Sequence, residues 1–496
     1  VTILRIDPIT RLEGHGKIEI LLDADGEVSD VRFQVPELRG FERFCVGRPV
    51  EEMPVLTSRI CGVCPEAHHL AATKALDDLF GTPPPPAARK LRELFYQAFF
   101  VTDHATHFWA LGGPDLIVGP DAPPAERNLL GVVAKVGLEA GKEVIACRAR
   151  NHEAIRLLGG RSINPCAGLP GGWSRSLREE DRRDIAGTAR KNVEFARMTL
   201  GVFRRIVLDD PVWRKTLESE AWTHRTYSMG TVDAANRVSF HDGSIRVVDP
   251  DGVPVARFEA RDWAEHLAER VESWSYLKFP YLRKIGWKGF VDGVGSGVYT
   301  ATPLSRLNAA DGMSTPGAQE EFERFFATLG SGSIDGRFRP VHFRLATHWA
   351  RLVELLAAAE RMVELAEDPE ITSPDVRTIP SGAISPKGGT GSVEAPRGTL
   401  IHHYEADGRG RVTRVDLLSG TTNNHAAIAM SIRRAAESLI RKGVVASEGI
   451  LNRIEMAFRL YDPCLSCATH SLPGRMPLEV QLVDAGGETI RRFARE

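Results

Sequence analysis

Two Cys-x-x-Cys pairs, Cys61-Gly-Val-Cys64 and Cys464-Leu-Ser-Cys467, carry the densest chemistry in this chain. A two-residue spacer lets both sulfurs of a pair converge on one centre, and two pairs offer four soft thiolates. Such a donor set favours zinc, iron–sulfur clusters, copper(I) or thiolate-bound nickel over hard cations. Three chemistries compete on spacing alone. A structural zinc staple keeps its pairs roughly 15–20 residues apart in a small domain, whereas nearly the whole chain separates these two. A thioredoxin-type dithiol needs one pair at a helix start and leaves the other idle. A buried metal centre, its ligands gathered by the folded core, uses both. Cys45, Cys147 and Cys166 stand alone and are expected to be small buried hydrophobes.

Polar side chains cluster around the pairs. Arg59, His68 and His69 flank the first; Asp462 precedes and His470 follows the second. Any one of them is more often a solvated or satisfied polar residue than a ligand. His104 and His107, at helical spacing in Asp103-His-Ala-Thr-His107, offer zinc two further nitrogens, against a plain packing role. Lys387-Gly-Gly-Thr-Gly-Ser392 resembles a phosphate loop only faintly, because the G-x-x-x-x-G-K-[ST] order is missing. It is expected to be a flexible approach to Arg397.

The chain that must position these groups has 496 residues, enough for two or three average domains or one large one. Its 43% hydrophobic and 26% charged content is that of a folded globular protein. With 63 basic against 65 acidic side chains, it lacks the basic field on which a nucleic-acid binder relies. Seven cysteines are too few for a disulfide-stapled secreted scaffold. No apolar run approaches the roughly 18–20 residues that span a bilayer. The opening Val1–Asp7 lacks the basic stretch and apolar core of an export signal.

Residues 17–22 and 28–35 alternate as strands around Asp25-Gly26, a hairpin turn. Four prolines at 83–86 end one helix, and after Ala87-Ala88 another begins, running to about Leu111. Long helices are expected over 125–158 and 177–207. Leu345, Trp349, Leu352, Leu356, Ala359 and Val363 step by four and three, placing one apolar stripe on a bundle helix. Residues 223–300 read as strands and loops, with 237–240, 244–248 and 253–258 as strands. A hairpin follows at 399–406 and 411–418, then helices at 424–442 and 447–460, and a last strand pair at 477–484 and 488–494. No internal repeat or polar linker interrupts the chain. The expected fold is α+β, a single large unit with a helical-bundle core and peripheral β-hairpin and sheet regions (1–36, 223–300 and 385–420).

The two cysteine motifs join three further stretches: Arg11-Leu-Glu13-Gly-His15-Gly16, Arg39-Gly-Phe-Glu42 and Glu394-Ala-Pro396-Arg397-Gly398. In this order, from about Ile6 to His470, the set resembles the large, catalytic subunit of the nickel–iron hydrogenases. It is most like their cytoplasmic, bidirectional group, linked to NAD(P) or a deazaflavin. Relatives in respiratory complex I keep the fold without the metal cysteines, and all four are retained here. Asn164 departs from the pattern, standing where a histidine is usual.

The resemblance implies that four thiolates hold nickel, with Cys64 and Cys467 bridging to an iron that carries carbon monoxide and cyanide, and Cys61 and Cys464 terminal. Heterolytic cleavage of hydrogen needs a Lewis acid for the electron pair and a base for the proton. The implied first base is Cys464, and Glu13 occupies the proton-gate position. Arg397, beside Pro396, would hang over the open metal position and donate to cyanide, with Thr421 as hydroxyl partner. Asp115 and Asp462 match carboxylates around that arginine. Glu42, His470 and the Leu417 carbonyl match ligands of magnesium. His104 and His107 become supporting or packing histidines.

Only four cysteines are paired, so the resemblance places the iron–sulfur clusters on a partner small subunit, joined by diaphorase-type subunits. It implies a large, partly apolar contact surface, with no nucleic acid and no membrane span. It further implies domain limits of 1–470, followed by 471–496 as a C-terminal maturation peptide. An endopeptidase would remove that peptide, and nickel-insertion proteins would act before it does. The alternative is a hydrogen sensor or non-catalytic member of the same family.

Overall fold

The computed structural model describes residues 2–334, 336–443, 447–469, 478–483 and 489–495. Among its helices are α1 (Pro65–Leu79), α2 (Pro86–Thr106), α3 (Leu129–Val136), α4 (Leu138–Gly159), α5 (Glu179–Phe203), α6 (Thr347–Glu367), α7 (His425–Leu439) and α8 (Glu448–Arg459). Four of them, α2, α4, α5 and α6, pack together as the central bundle. The expected α+β architecture with a helical core is what forms.

α6 sits at the centre. Its apolar stripe is buried as the 4/3 spacing predicts, but His348, Arg351 and Glu354 on the other side are buried too. Arg351 and Glu354 face the interior because buried Asp462 and Arg306 answer them, and His348 stacks on His107, relationships that periodicity does not encode.

The helix expected over 125–158 is two helices. Gly137 stands between α3 and α4 at φ 102° and ψ 155°, outside the helical region and open to glycine without steric cost. Asn128 starts α3 by accepting the Leu130 and Gly131 amides. α2 ends in a wide π turn over His107–Gly112, a feature common beside functional sites.

Among the described residues, three sheets have three or more strands. β1 (Thr2–Ile6), β2 (Lys17–Leu22) and β3 (Val28–Gln34) form an antiparallel meander. β4 (Tyr227–Val232), β5 (Ser244–Val248), β6 (Pro254–Phe258) and β7 (Tyr299–Thr300) form a four-stranded sheet in the order β7-β4-β5-β6. The strand expected at 237–240 does not form. Asp233 instead accepts the Ala235 and Arg237 amides and tightens the segment into a turn.

The third sheet is β8 (Gly389–Ala395), β9 (Gly398–Ala406) and β10 (Val412–Leu418). β8 overturns the flexible reading of 387–392. It is a buried strand lying directly on α1, and its glycines make that possible. A Cβ on Gly391 would fall 2.2 Å from the Ala71 carbonyl, and one on Gly389 2.2 Å from the Ala75 carbonyl. The strand pair expected near the end of the chain forms over Leu478–Val483 and Thr489–Arg495.

Candidate metal centre

α1 begins at Pro65, immediately after Cys64, so the first pair caps a fifteen-residue helix whose N-terminal dipole favours thiolate. The second pair follows α8 through a sharp turn. Asp462 adopts φ 54°, a left-handed conformation that Asp tolerates better than most residues. The N-terminal segment then ties the second pair down: Glu13 bridges Cys464 in parallel register, and the Leu465 amide donates to the Glu13 carbonyl at 3.0 Å.

All four sulfurs meet. Cys61 lies 3.1 Å from Cys464, Cys64 3.2 Å from Cys467, Cys464 2.9 Å from Cys467 and Cys64 3.9 Å from Cys464. They are the group of four ligand atoms within 4.8 Å of one another, all buried, and all seven cysteines are free thiols. Tetrahedral thiolates at about 2.3 Å from one metal stand roughly 3.8 Å apart, so these sulfurs are near enough to share a single ion. Without a cation the cluster is electrostatically poor. Burial pushes the Cys464 and Cys467 thiols well up, while S–H donation from Cys464, Cys467 and Cys64 pulls Cys61 well down. A bound metal ion removes that conflict by holding thiolates outright.

Glu13 Oε2 takes both the Cys464 sulfhydryl and the Ser466 amide at 3.0 Å. It lines a cleft of about 430 Å³ with Glu66, Asp103, Arg148, His152 and Arg397. Burial raises Glu66 in that cleft to about 8. A small recess is walled by Cys64, Cys464, Cys467, Ala395, Arg397 and Thr421, with His68 among its lining. Thr421 accepts the Cys464 amide at 3.0 Å and keeps its own hydroxyl proton to donate.

Arg397 is buried between two carboxylates, Asp103 at 2.9 Å and Asp462 at 2.9 Å. Burial works against its charge, and those two carboxylates outweigh that penalty. Burial raises Asp462 to about 6 against the pull of Arg397 and Arg351. Behind them a fully buried network continues. Arg351 lies 3.4 Å from Asp462, and Arg306 pairs with Glu354 at 2.6 Å and Glu394 at 3.1 Å. Buried Asp103 Oδ1 and Arg397 Nε have no hydrogen-bond partner among the described residues.

The expected residues separate into those the fold gathers and those it does not. Cys61, Cys64, Cys464, Cys467, Glu13, Arg397, Asp462 and Thr421 converge. Asp115 does not reach Arg397: it pairs with Arg459 at 2.8 Å and Arg11 at 2.5 Å, and those cations hold its carboxyl low against burial. Asp103 takes the place expected of it, because α2 presents residue 103 to the site and the π turn carries 115 onward. Pro396 turns its carbonyl to Arg306 and Arg351, each at 3.2 Å, away from the recess.

Glu42 and Leu417 do meet, the Leu417 amide donating to the Glu42 carboxylate at 2.7 Å. Burial lifts Glu42 to about 7. His470 lies outside the described residues. Cys45 and Cys147 are buried as expected, whereas Cys166 is exposed, standing in the connection after α4 rather than in the bundle. Asn164 has φ 52°, a conformation Asn adopts readily.

His104 and His107 do not converge on a metal. His104 bonds Glu354 at 3.0 Å and His107 the Arg459 carbonyl at 3.0 Å. Burial keeps both far below the usual histidine range. Sequence reasoning missed Asp103, Arg306, Arg351 and Glu354. Charged residues on an otherwise apolar helix were the available signal for the last two. His68 was noted only for its place near the first pair; it reaches the Cys467 sulfur at 3.3 Å.

The comparisons agree with this geometry. A family model described as nickel-dependent hydrogenase matches residues 39–126 and 297–470, and one described as HoxL-like matches 3–38. The chain is 46% identical to an F420-non-reducing hydrogenase iron-sulfur subunit of Archaeoglobus profundus, covering 99% of each. It is 37% identical to the beta subunit of the NAD-reducing hydrogenase HoxS of Cupriavidus necator, again over 99% of each. A crystal structure of an NAD+-reducing [NiFe]-hydrogenase in the H2-reduced state superposes with a TM-score of 0.85 at 36% identity, covering 95% of this chain and 100% of that one. Four buried sulfurs gathered from opposite ends of the chain, matched along their whole length by such relatives, show that this chain belongs to the nickel–iron hydrogenase large-subunit family.

Proposed function

We propose that the chain catalyses reversible heterolytic cleavage of hydrogen at a nickel–iron centre and passes the electrons to an iron–sulfur small subunit. The observation that carries this reading is the four-sulfur cluster with Glu13 and the Arg397 recess beside it. Cys61, Cys64, Cys464 and Cys467 would hold nickel, with Cys64 and Cys467 also facing the recess that suits an iron and its diatomic ligands. The centre supplies the Lewis acid that polarises hydrogen. Cys464 then offers a sulfur base, and its 3.0 Å contact to Glu13 gives the proton an exit into the cleft. Arg397 Nε and the Thr421 hydroxyl have protons to donate to cyanide.

Glu42 and the Leu417 carbonyl, with His470, would hold magnesium. Residues 471–496 would be cut away after His470 by an endopeptidase once nickel is inserted. The electron acceptor would be NAD(P) or a deazaflavin. One relative is named NAD-reducing, and several are named F420-non-reducing, F420 being itself a deazaflavin. No described helix is long and apolar enough to cross a membrane, in keeping with a cytoplasmic enzyme served by diaphorase-type subunits.

Elemental analysis of purified holoenzyme should give nickel and iron in equal amounts, and infrared spectra should show carbon monoxide and cyanide stretching bands. Zinc in their place, with no such bands, would overturn the reading and leave a zinc-stabilised subunit. Metal and bands present without hydrogen turnover would favour the sensor alternative.

A further inference from the structure

A file of hydrogen bonds leaves the metal cluster from Cys467, separate from the Glu13 cleft. Cys467 Sγ lies 3.3 Å from His68 Nε2, and His68 Nδ1 lies 3.0 Å from His402 Nε2. His402 Nδ1 lies 2.5 Å from the Tyr404 hydroxyl. The nearby Thr57 hydroxyl donates to the Met53 carbonyl at 2.7 Å. His68, His402, Tyr404 and Thr57 are each no more than 1% exposed. The arrangement follows from local structure: His68 stands on the first turn of α1, and His402 and Tyr404 are two apart on β9, so they share a face.

Proton counting makes the links interdependent. Each contact between two ring nitrogens, or between ring nitrogen and phenol, holds one proton, supplied by one side only. A metal-bound thiolate has none to give, so a neutral His68 satisfies it only as an Nε2–H donor. His68 Nδ1 is then a lone pair and must receive the Nε2–H of His402, whose own Nδ1 must receive the Tyr404 O–H. The reverse order aims the His68 Nε2 lone pair at the sulfur.

We propose that Tyr404, acting through His402, is a positioning residue that fixes the tautomer of His68, so that its Nε2–H bonds to the Cys467 thiolate and moderates the electron density this sulfur gives the metal. The inference rests on the nickel–iron reading above. Hydrogen bonds to metal-bound sulfur set the potential and electronics of the centre, and partners one shell further out orient the donors.

The test compares Tyr404→Phe, His402→Leu and His402→Gln as nickel-loaded holoenzyme, using the infrared bands and the midpoint potential of the nickel centre. Phenylalanine frees His402 to invert, and leucine leaves His68 unsupported. Both weaken the bond to sulfur, enrich the metal in electrons, shift the bands to lower wavenumber and make the potential more negative. Glutamine donates through its amide N–H to His68 and accepts Tyr404 through its amide oxygen, so it should restore both to wild-type values. Bands and potential unmoved in Tyr404→Phe would overturn the proposal, as would glutamine behaving like leucine. Should the leucine variant not fold, the phenylalanine and glutamine variants decide between these outcomes. Absence of any band in the unaltered holoenzyme would instead overturn the nickel–iron reading, with the potentials still reporting on the file.

Discussion

One oxygen of Glu13 accepts both the Cys464 sulfhydryl and the Ser466 amide, each at 3.0 Å. The carboxylate is thus held by a backbone amide and a sulfhydryl while lining the cleft. Glu13→Gln keeps a carbonyl oxygen for the Ser466 amide and removes the group that can take up a proton. Hydrogen oxidation should fall by about 10²–10⁴-fold, with nickel content unchanged. Retained turnover in that variant would remove Glu13 from the proton path.

Arg397 is the cation that Asp103 and Asp462 share at 2.9 Å each. Arg397→Met leaves two carboxylates buried beside an apolar side chain and should destabilise the protein by about 3–5 kcal/mol. Urea denaturation measures this directly. The double variant with Asp103→Asn should recover part of the loss, because it removes one of the stranded charges.

Gly391 lets β8 lie on α1, the helix that begins just after Cys64. A Cβ there meets the Ala71 carbonyl at 2.2 Å and the Ala75 amide nitrogen at 2.3 Å, both backbone atoms with no freedom to swing aside. Gly391→Ala should therefore lose nickel and lower the melting temperature. Gly408→Ala, with nothing within 4 Å of its added Cβ, should be close to neutral. Equal behaviour of the two variants would show that the close approach is not what holds α1 in place.

Buried histidines set the acid limb of stability. In the unfolded chain imidazole takes its proton near 6.5. Burial holds His69 and His425 to about 4 and His342 and His348 to about 3. Below 6.5 the unfolded chain binds protons that the fold refuses, so stability declines as pH falls towards 3–4 and then levels off. Glu42, Glu66 and Asp462, raised by burial to about 7, 8 and 6, act in the opposite sense, losing stability as pH rises from the ordinary carboxylate range. The histidines are more numerous, so the urea midpoint should drop between about pH 6.5 and 4. His425 Nδ1 bonds the Lys278 carbonyl at 2.7 Å. His425→Asn can keep that donor without titrating, and it should flatten the limb by about one proton.

Several expectations drawn from the residues alone survive because the physics behind them is local. The hairpin around Asp25-Gly26 forms where turn chemistry requires it. The helix after the prolines forms but starts at Pro86, ahead of its expected start after Ala88, and the pair 398–406 and 412–418 forms across Asp407-Gly408. Misreadings arose where a neighbour outweighed the local signal. Residues 387–392 look like a loop because glycine weakens a strand, yet the glycines at 389 and 391 are there for the backbone of α1 to approach. Asp115 looked like the arginine's partner until the π turn carried it towards Arg11 and Arg459.

Residue type and spacing by themselves determined that four thiolates were available for one soft metal and that a helical core would do the gathering; the carboxylate and the guanidinium beside them were implied by the resemblance of the motifs. The first two follow from donor chemistry and periodicity, which are written in single residues and short windows. Only the tertiary structure decided which acids face Arg397, that α6 is buried on its charged side, and that His68 reaches Cys467 with His402 and Tyr404 behind it. These depend on burial and pairing between residues hundreds of positions apart, where the cost of an unpaired charge or proton is settled by whatever the fold brings next to it.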